Sequence, residues 1–391
     1  MSTVDAIYEV LKGVVDPELG GNIVDLGMVD SVSVDEQGVA DIGIALTVAQ
    51  CPMRSFIEGE SARRVKSLAG ISDVRIHTTA MTSRQRSELM SGARLRARET
   101  AVPTQVHPTT RVVAVSSGKG GVGKSTVSTN LAVSLADRGF EVGLLDADIW
   151  GFSIPRMMGG EARLTADDVT RLIIPAKIQG ISVVSTGLII EDEETALMWR
   201  GLMLSKALEQ FLHQVRWGQL DYLVIDMPPG TGDIQMALSR MLPQAEMVVV
   251  TTPQKAAQKV AVRVADMARR SHMPIVGVVE NMSSFTCDHG VEYALFGQGG
   301  GEDLSEQLSV PLLAQIPLDP AVVTGGDQGL PVTRAAPENP AAQAFSQAAA
   351  RLTELLPPVE DESCTGRIAK LLEQLAASGE PPRGKVTSQL G

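Results

Sequence analysis

The sequence predicts an α/β fold, a mostly parallel sheet with crossover helices, preceded by a small N-terminal α+β domain. From residue 111 onward, runs of Val, Ile and Leu alternate with stretches of helical spacing, which is typical of a parallel sheet covered on both faces. Before that, apolar and polar residues alternate on either side of a turn, which indicates a hairpin. With 391 residues, the chain is long enough for one large domain and a smaller companion.

The N-terminal domain is predicted over residues 1–81. The stretch SVSVDEQGVADIGIALTV predicts two strands joined by a turn at residues 35–38. A helix is expected over residues 52–68, and DVRIHTTA predicts another strand. Residues 82–110 are polar and basic and then contain prolines, so they predict a linker with room for one helical turn or more.

The larger domain is predicted over residues 111–355. Its predicted strands are RVVAVSS, VGLLDAD, DYLVIDMPP, EMVVVTT and IVGVVEN. The first helix is expected over residues 125–138, and Gly139 is expected to end it.

Residues 356–391 predict a polar tail with room for one short helix. That helix would be short, without aromatic residues and with few cations beside it, which disfavours a membrane anchor. We favour either a helix that packs on its own protein or a loosely ordered tail. Its apolar positions are Ile368, Leu371, Leu372 and Leu375.

Charge and composition argue against several classes of protein. The net charge is −12 with a pI near 5.0 and no dense Lys/Arg block, which disfavours binding of nucleic acid through its phosphates. No stretch is apolar enough to cross a membrane, and MSTVDAIYEV lacks the features of a signal peptide. Three widely spaced cysteines form no disulfide framework. We therefore expect a cytoplasmic protein with neither nucleic acid nor membrane among its partners.

A phosphate-binding loop is predicted in SGKGGVGKST, residues 117–126, which follows a predicted strand and opens a predicted helix. Glycines let the backbone approach a polyphosphate, and the free N–H groups attract its charge. Lys124 is predicted to bridge the β- and γ-phosphates of ATP, and the Ser125 hydroxyl to ligate Mg²⁺. The larger domain is therefore predicted to be a P-loop NTPase. Its predicted nucleotide-binding residues in this loop are Gly118, Lys119, Gly120, Gly121, Val122, Gly123, Lys124, Ser125 and Thr126.

Carboxylates end two of the predicted strands. Asp226 closes YLVID, where it is predicted to hold the magnesium ion, and Asp146 and Asp148 close LLDAD, where one of them is predicted to orient the attacking water. Ligands of open parallel sheets bind at this edge, which favours these roles. The glycines at residues 297–301 lack both the last glycine of a dinucleotide fingerprint and a preceding strand, so a flexible loop is expected there.

The loop KGGVGKST, with its additional Lys119, resembles that of the deviant-loop ATPases that include MinD, ParA and the nitrogenase iron protein. DADIWGFS, DMPPGTGD and ENMSSFTCDHG narrow the resemblance to the Mrp/ApbC-type iron–sulfur cluster carrier ATPases. DPELGGNIVDLGMV and LTVAQCPM are similar to the iron–sulfur assembly domain that often precedes this branch. The similarity covers residues 5–80 and 111–350.

The resemblance implies a homodimer that binds ATP, hydrolyses it slowly and carries iron–sulfur clusters, with apoproteins or assembly factors as partners. It implies that Lys119 reaches the phosphates bound by the partner subunit, where a second cation stabilises charge at the γ-phosphate. Catalysis would then rest on Lys119, Lys124 and Asp148, the last being the water-orienting carboxylate. Asp226 corresponds to the magnesium-side carboxylate and Asn281 to an adenine contact.

The expected cluster site departs from the family pattern. The branch typically carries Cys-x-x-Cys, so that two subunits supply four thiolates to one [4Fe–4S] cluster, but here the stretch is CDHG and only Cys287 is present. Cys287 is therefore the predicted iron–sulfur ligand. His289 is either a further ligand or part of a surface turn, and the turn is favoured. Cys51 precedes a predicted helix, where its thiol pKa would be lowered, and the resemblance favours metal handling over an inert buried role.

Two other functions stay open from the sequence. One is a positioning or partitioning ATPase of the MinD/ParA type, which the acidic charge, the weak tail helix and the appended N-terminal domain disfavour. The other is a biosynthetic P-loop enzyme that acts on a small carboxylate.

Overall fold

A computed structural model describes most of the chain. Cys51, Cys364 and the tail from residue 360, with its predicted short helix, lie outside the described residues. The described ranges are 3–16, 21–47, 53–82, 84–86, 88–89, 91–92, 103–148, 151–160, 163–188, 201–230 (backbone alone for 201–204) and 232–359.

The N-terminal part forms a three-stranded sheet with two helices. Strands β1 and β2 form the predicted antiparallel hairpin, and β3 pairs parallel to β2. Alternate side chains of β2, at Ala40, Ile42 and Ile44, are fully buried together with Ile7 and Leu11 of the first helix. The elements are α1 (Thr3–Leu11), β1 (Val29–Val34), β2 (Val39–Leu46), α2 (Arg54–Lys66) and β3 (Asp73–Ala80).

The larger part is built on a sheet whose strand order, among the described residues, is β15-β12-β11-β4-β10-β5-β9-β8. All neighbouring strands are parallel except the edge strand β8, which is antiparallel to β9. The α/β class predicted from the sequence is confirmed. The strands are β4 (Arg111–Ser117), β5 (Val142–Asp146), β6 (Thr165–Ala166), β7 (Ile173–Ile174), β8 (Ala176–Ile178), β9 (Ile181–Val184), β10 (Tyr222–Asp226), β11 (Glu246–Thr251), β12 (Ile275–Asn281), β13 (Phe285–Thr286), β14 (Glu292–Tyr293) and β15 (Leu312–Ile316).

Helices cover both faces of this sheet. Strand β4 sends Val113 and Val115 into one apolar cluster and Val112 and Ala114 into the other, which explains why its sequence is apolar without alternation. The helices are α3 (Lys124–Ala136), α4 (Ile154–Met157), α5 (Gly201–Gln214), α6 (Gly232–Met241), α7 (Lys255–Arg270), α8 (Gly300–Leu308), α9 (Pro320–Asp327), α10 (Val332–Ala335) and α11 (Pro340–Leu355).

The segment predicted as a linker, residues 82–110, includes structured residues. Its described positions between 84 and 92 are helical, and Leu89 is buried in the N-terminal cluster. Val106 is buried in a cluster of the larger part, and the Gln105 N–H donates to the Leu212 carbonyl at 2.8 Å. The domain boundaries given above stay a prediction.

The loop predicted at residues 297–301 is found at 297–299, but the prediction is wrong for Gly300 and Gly301, because α8 begins at Gly300. A Cβ at Gly300 would lie 2.6 Å from the Pro253 carbonyl oxygen, and one at Gly301 would lie 2.6 Å from the Glu280 Cβ. Close packing therefore explains these two glycines, since Gly300 lies against the backbone of Pro253 and Gly301 against the side chain of Glu280.

Candidate active site

The glycine-rich loop connects β4 to α3 at the carboxyl edge of the sheet. Gly121 and Gly123 have φ of +79° and +78°, a left-handed conformation that glycine adopts without steric cost. Gly118 packs against α7, where an added Cβ would lie 2.5 Å from the Val260 carbonyl carbon. Beside the loop is a cleft of about 350 Å³, into which Asp148, Ser153 and other residues project. The loop predicted from the sequence therefore lines an open cleft.

Lys124 and Asp226 form a buried ion pair under this loop. The Lys124 Nζ donates to Asp226 Oδ1 at 2.8 Å, the Ser125 hydroxyl to Oδ2 at 2.5 Å and the Ser128 hydroxyl to Oδ1 at 2.8 Å. The Asp226 side chain is fully buried and the Lys124 side chain is 7% exposed. Hydroxyl and carboxylate oxygens are the donors that Mg²⁺ prefers, so Ser125 and Asp226 fit the predicted magnesium site. Ser128 was not predicted, although its position one turn after Lys124 on α3 was a usable signal.

The structure distinguishes the two aspartates that follow β5. Asp148 lines the cleft, with its Oδ2 3.8 Å from the Lys124 Nζ. Burial raises the pKa of Asp148 above its ordinary value, and the nearby Lys124 offsets only part of this increase. Asp146 is not among the residues that line the cleft. Its Oδ1 accepts a bond from the Asp148 N–H at 3.2 Å, and its Oδ2 accepts bonds from the Ser185 hydroxyl at 3.2 Å and from the Ile154 N–H at 3.4 Å. Of the two, Asp148 is therefore the one in a position to contact a water in the cleft.

Asp146 is a buried carboxylate with a strongly altered acidity. Its side chain is 1% exposed, and it pairs in register with Asp226 on the neighbouring strand β10. Burial and the nearby Asp226 raise the pKa of Asp146 to about 7.

Lys119, the second lysine of the loop, also lines the cleft, but its ammonium is bonded to an amide and not to these carboxylates. Its Nζ donates to the Gln254 Oε1 at 3.0 Å, and no carboxylate of the described residues forms an ion pair with it. Gln254 lies just before α7, 135 residues further along the chain. The sequence contained no motif that linked the two residues.

Asn281 lies under the phosphate loop. Its Nδ2 donates to the Val122 carbonyl at 2.9 Å, and the residue is 6% exposed. The adenine contact stays a prediction, because the structure gives the amide this other partner.

Cys287 is carried on a short antiparallel hairpin made by β13 and β14, which follows β12. The turn is closed by bonds from the Cys287 N–H to the Val291 carbonyl and from the Gly290 N–H to the Cys287 carbonyl, at 3.0 and 2.8 Å. Hydrogen bonds from the backbone N–H groups of His289 and Val291 lower the pKa of the Cys287 thiol, which favours the thiolate. His289 is exposed. Across the described part of the chain, no three His, Cys, Asp or Glu side chains are grouped so as to hold a metal ion.

None of the helices within the described ranges is both long enough and apolar enough to cross a membrane.

Family models match both parts of the chain. The model of the NUBPL iron-transfer P-loop NTPases matches residues 108–353, and that of the iron–sulfur cluster assembly proteins matches residues 4–78. The iron–sulfur cluster carrier protein of Mycobacterium leprae is 45% identical over 342 residues, or 86% of this chain and 88% of that protein. The protein of the same description from Synechocystis sp. is 41% identical over 357 residues, or 90% and 97% of the two chains.

Solved structures also resemble the chain. An ADP complex of a nucleotide-binding protein from Archaeoglobus fulgidus is 36% identical with a TM-score of 0.49, over 56% of this chain and 86% of that chain. The cell division ATPase MinD of Pyrococcus furiosus is 27% identical with a TM-score of 0.49, over 63% and 99% of the two chains.

Proposed function

Because the chain belongs to the iron–sulfur cluster carrier P-loop NTPases, with their N-terminal iron–sulfur assembly domain, we propose that it is a homodimeric carrier that transfers iron–sulfur clusters to apoproteins. As a P-loop NTPase it is an ATP hydrolase, and we propose that its turnover is slow. One observation carries the proposal: Lys124 is paired with buried Asp226, while Lys119 of the same loop is bonded to the neutral amide of Gln254.

ATP would bind with its phosphates along residues 118–126. The backbone N–H groups and the amino end of α3 attract the phosphates, and Lys124 places its charge between them. Ser125 and Asp226 would hold the magnesium ion, which supplies positive charge to the phosphate oxygens when bound. Asp148, on the wall of the cleft, orients the attacking water. Phosphoryl transfer needs positioned groups more than covalent help, and these residues provide them.

Lys119 supports the proposed dimer. A lysine that makes no ion pair with the described residues of its own subunit is available to the phosphates bound by a second copy, where it stabilises charge that develops at the γ-phosphate. ATP binding then closes the dimer and hydrolysis reopens it, which changes access to the cargo. The cytoplasmic location expected from the sequence stays a prediction.

The cluster is the cargo, and Cys287 is its proposed ligand. A symmetric dimer offers two such thiolates, half of what a [4Fe–4S] cluster prefers, so a labile and transiently held cluster is expected. A transiently held cluster suits cluster transfer better than the role of a permanent redox centre.

A transfer assay tests the proposed function. The protein is loaded with iron and sulfide without oxygen and mixed, with ATP and Mg²⁺, with an apoenzyme that is active only with its cluster, while a chelator captures free iron. Activity of the apoenzyme should return with the loaded parent protein and not with loaded Cys287→Ala. If the chelator prevents all recovery, the protein releases iron and does not transfer clusters. A positioning ATPase would acquire no cluster at all.

A further inference from the structure

We propose that Gln254 is a positioning residue that holds Lys119 away from the phosphate site of its own subunit and releases it to the nucleotide of the partner subunit. This rests on the proposed role of Lys119 across the dimer. Gln254 takes no part in the loop motif, and it contacts neither the carboxylates nor the hydroxyls of the site.

Among the described residues, the Lys119 ammonium has one hydrogen-bond partner, the Gln254 side chain. The Ser117 hydroxyl donates to the Lys119 carbonyl at 3.1 Å, which fixes the lysine backbone, while the Nζ donates to the Gln254 Oε1 at 3.0 Å. Lys124, in the same loop, has Asp226 and Asp148 within ion-pair distance. One loop therefore holds one lysine on carboxylates and the other on a neutral amide.

The acceptor is fixed in space. Gln254 immediately precedes α7 and follows Pro253, which is buried. Helix α7 in turn touches the loop backbone, since a Cβ on Gly118 would lie 2.5 Å from the Val260 carbonyl carbon and 2.6 Å from the Ala261 nitrogen. Lys119 can therefore leave Gln254 by rotating its own side chain, without moving α7 or the loop.

Helix capping does not explain the Gln254 amide. Gln254 occupies the position before the first turn of α7, but its side chain makes no capping hydrogen bond. Its Oε1 is used instead by a residue 135 positions away.

A neutral acceptor suits a lysine that must be released. An amide holds an ammonium less strongly than a carboxylate does, so a phosphate group that arrives with the partner subunit can displace it. A glutamate at the same position would form an ion pair with Lys119 and retain it. The uncharged side chain thus permits exchange between the two positions of the lysine.

The test compares Gln254→Glu with Gln254→Met, which keeps the length of the side chain and removes the acceptor. At low salt, Gln254→Glu should lower kcat by about three- to tenfold with little change in the KM for ATP, because the retained lysine acts after binding. Relative to the parent at the same salt, the loss should shrink as added salt screens the new ion pair. Gln254→Met should show no such salt dependence and should dimerise at an ATP concentration no higher than the parent requires.

A double variant separates this role from a structural one. Lys119→Ala/Gln254→Glu should turn over no more slowly than Lys119→Ala alone, because the glutamate then has no lysine to retain. Two results would overturn the role of Gln254 and leave the proposed function intact. One is a lower kcat in the double variant than in Lys119→Ala. The other is a parental kcat in Gln254→Glu while Lys119→Ala is impaired. Parental turnover in Lys119→Ala itself would overturn the proposed lysine exchange, and Gln254 with it. Thermal unfolding of each variant identifies losses that come from misfolding.

Discussion

At the scale of single residues, the buried pair of Lys124 and Asp226 determines what the phosphate loop can bind. Lys124→Ala should abolish ATP binding or hydrolysis, because no other residue within the described ranges places a cation beside Asp226. It also leaves the Asp226 carboxylate buried without its cation, which costs about 3–5 kcal/mol of unfolding free energy. Calorimetric titration with ATP and thermal unfolding measure the two effects.

Lys119→Ala is the matched control, since it removes the other lysine of the loop. Its partner is a neutral amide, so stability should change little, and some nucleotide binding should persist. ATP-dependent dimer closure should be lost, and turnover should fall to a small residual rate. Should Lys119→Ala hydrolyse ATP at the parental rate, Lys119 does not act across a dimer.

Asp148→Asn should bind ATP but turn over on the order of 10²-fold more slowly, because the amide orients the attacking water poorly. The variant should accumulate in the closed, ATP-bound dimer, which size-exclusion chromatography with ATP detects. Unchanged turnover would move the catalytic role to another residue.

Residues inside the motif were predictable because the strand, loop and helix fix their relative positions. The partners of that motif were not. Gln254 meets Lys119 only because α7 packs on the loop, and Asn281 meets the Val122 carbonyl because β12 ends under it. Contacts between segments more than a hundred residues apart depend on packing that no local pattern encodes.

At the scale of elements, the contact between the loop and α7 sets the position of both lysines. Gly118→Ala should push the loop away from the backbone of α7 and lower stability by about 1–3 kcal/mol, with weaker ATP binding. Gly120→Ala is the control, because an added Cβ there meets no atom within 4 Å. Thermal unfolding without nucleotide compares them. Equal midpoints for the two variants would mean that the close approach at Gly118 is not needed.

The sequence predicted five adjacent strands of the large sheet, β4, β5, β10, β11 and β12, from apolar runs that are covered on both faces. The outer strands β9 and β15 of that sheet were missed. The strands β6, β7, β8, β13 and β14 were also missed, because two or three residues carry no periodicity. At residues 297–301 the glycines indicated flexibility, whereas Gly300 and Gly301 are explained by close packing at the start of α8. Composition alone cannot separate these two uses of glycine.

At the scale of the whole molecule, Asp146 should make stability depend on pH. Its pKa in the folded protein is about 7, above the ordinary value, so between about pH 4 and 7 the folded protein holds a proton that the unfolded chain has lost. This contribution to stability is present at low pH and is lost as the pH rises through 7.

Asp146→Asn removes the titration. The parent should therefore lose more stability than Asp146→Asn between about pH 5.5 and pH 8, in thermal unfolding with a chelator and without nucleotide. Parallel pH profiles for the two proteins would show that Asp146 does not carry a raised pKa.

The family was predictable from the sequence for most of the chain, and the matched ranges 4–78 and 108–353 confirm it. The same resemblance could not determine how this chain holds a cluster, because the second cysteine of the family motif is missing. In the described residues that leaves a single thiol, Cys287, on an exposed hairpin turn with its pKa lowered.

The central claim, a carrier that holds a cluster between two subunits, is tested most directly by counting iron. The protein is reconstituted with iron and sulfide without oxygen, and bound iron is measured together with visible absorption. We predict less than a full cluster per dimer for the parent, none for Cys287→Ala, a partial loss for Cys51→Ala and parental iron for His289→Ala, which alters the same turn without its thiol. Full iron content in Cys287→Ala would contradict the account, and only the ATPase would remain.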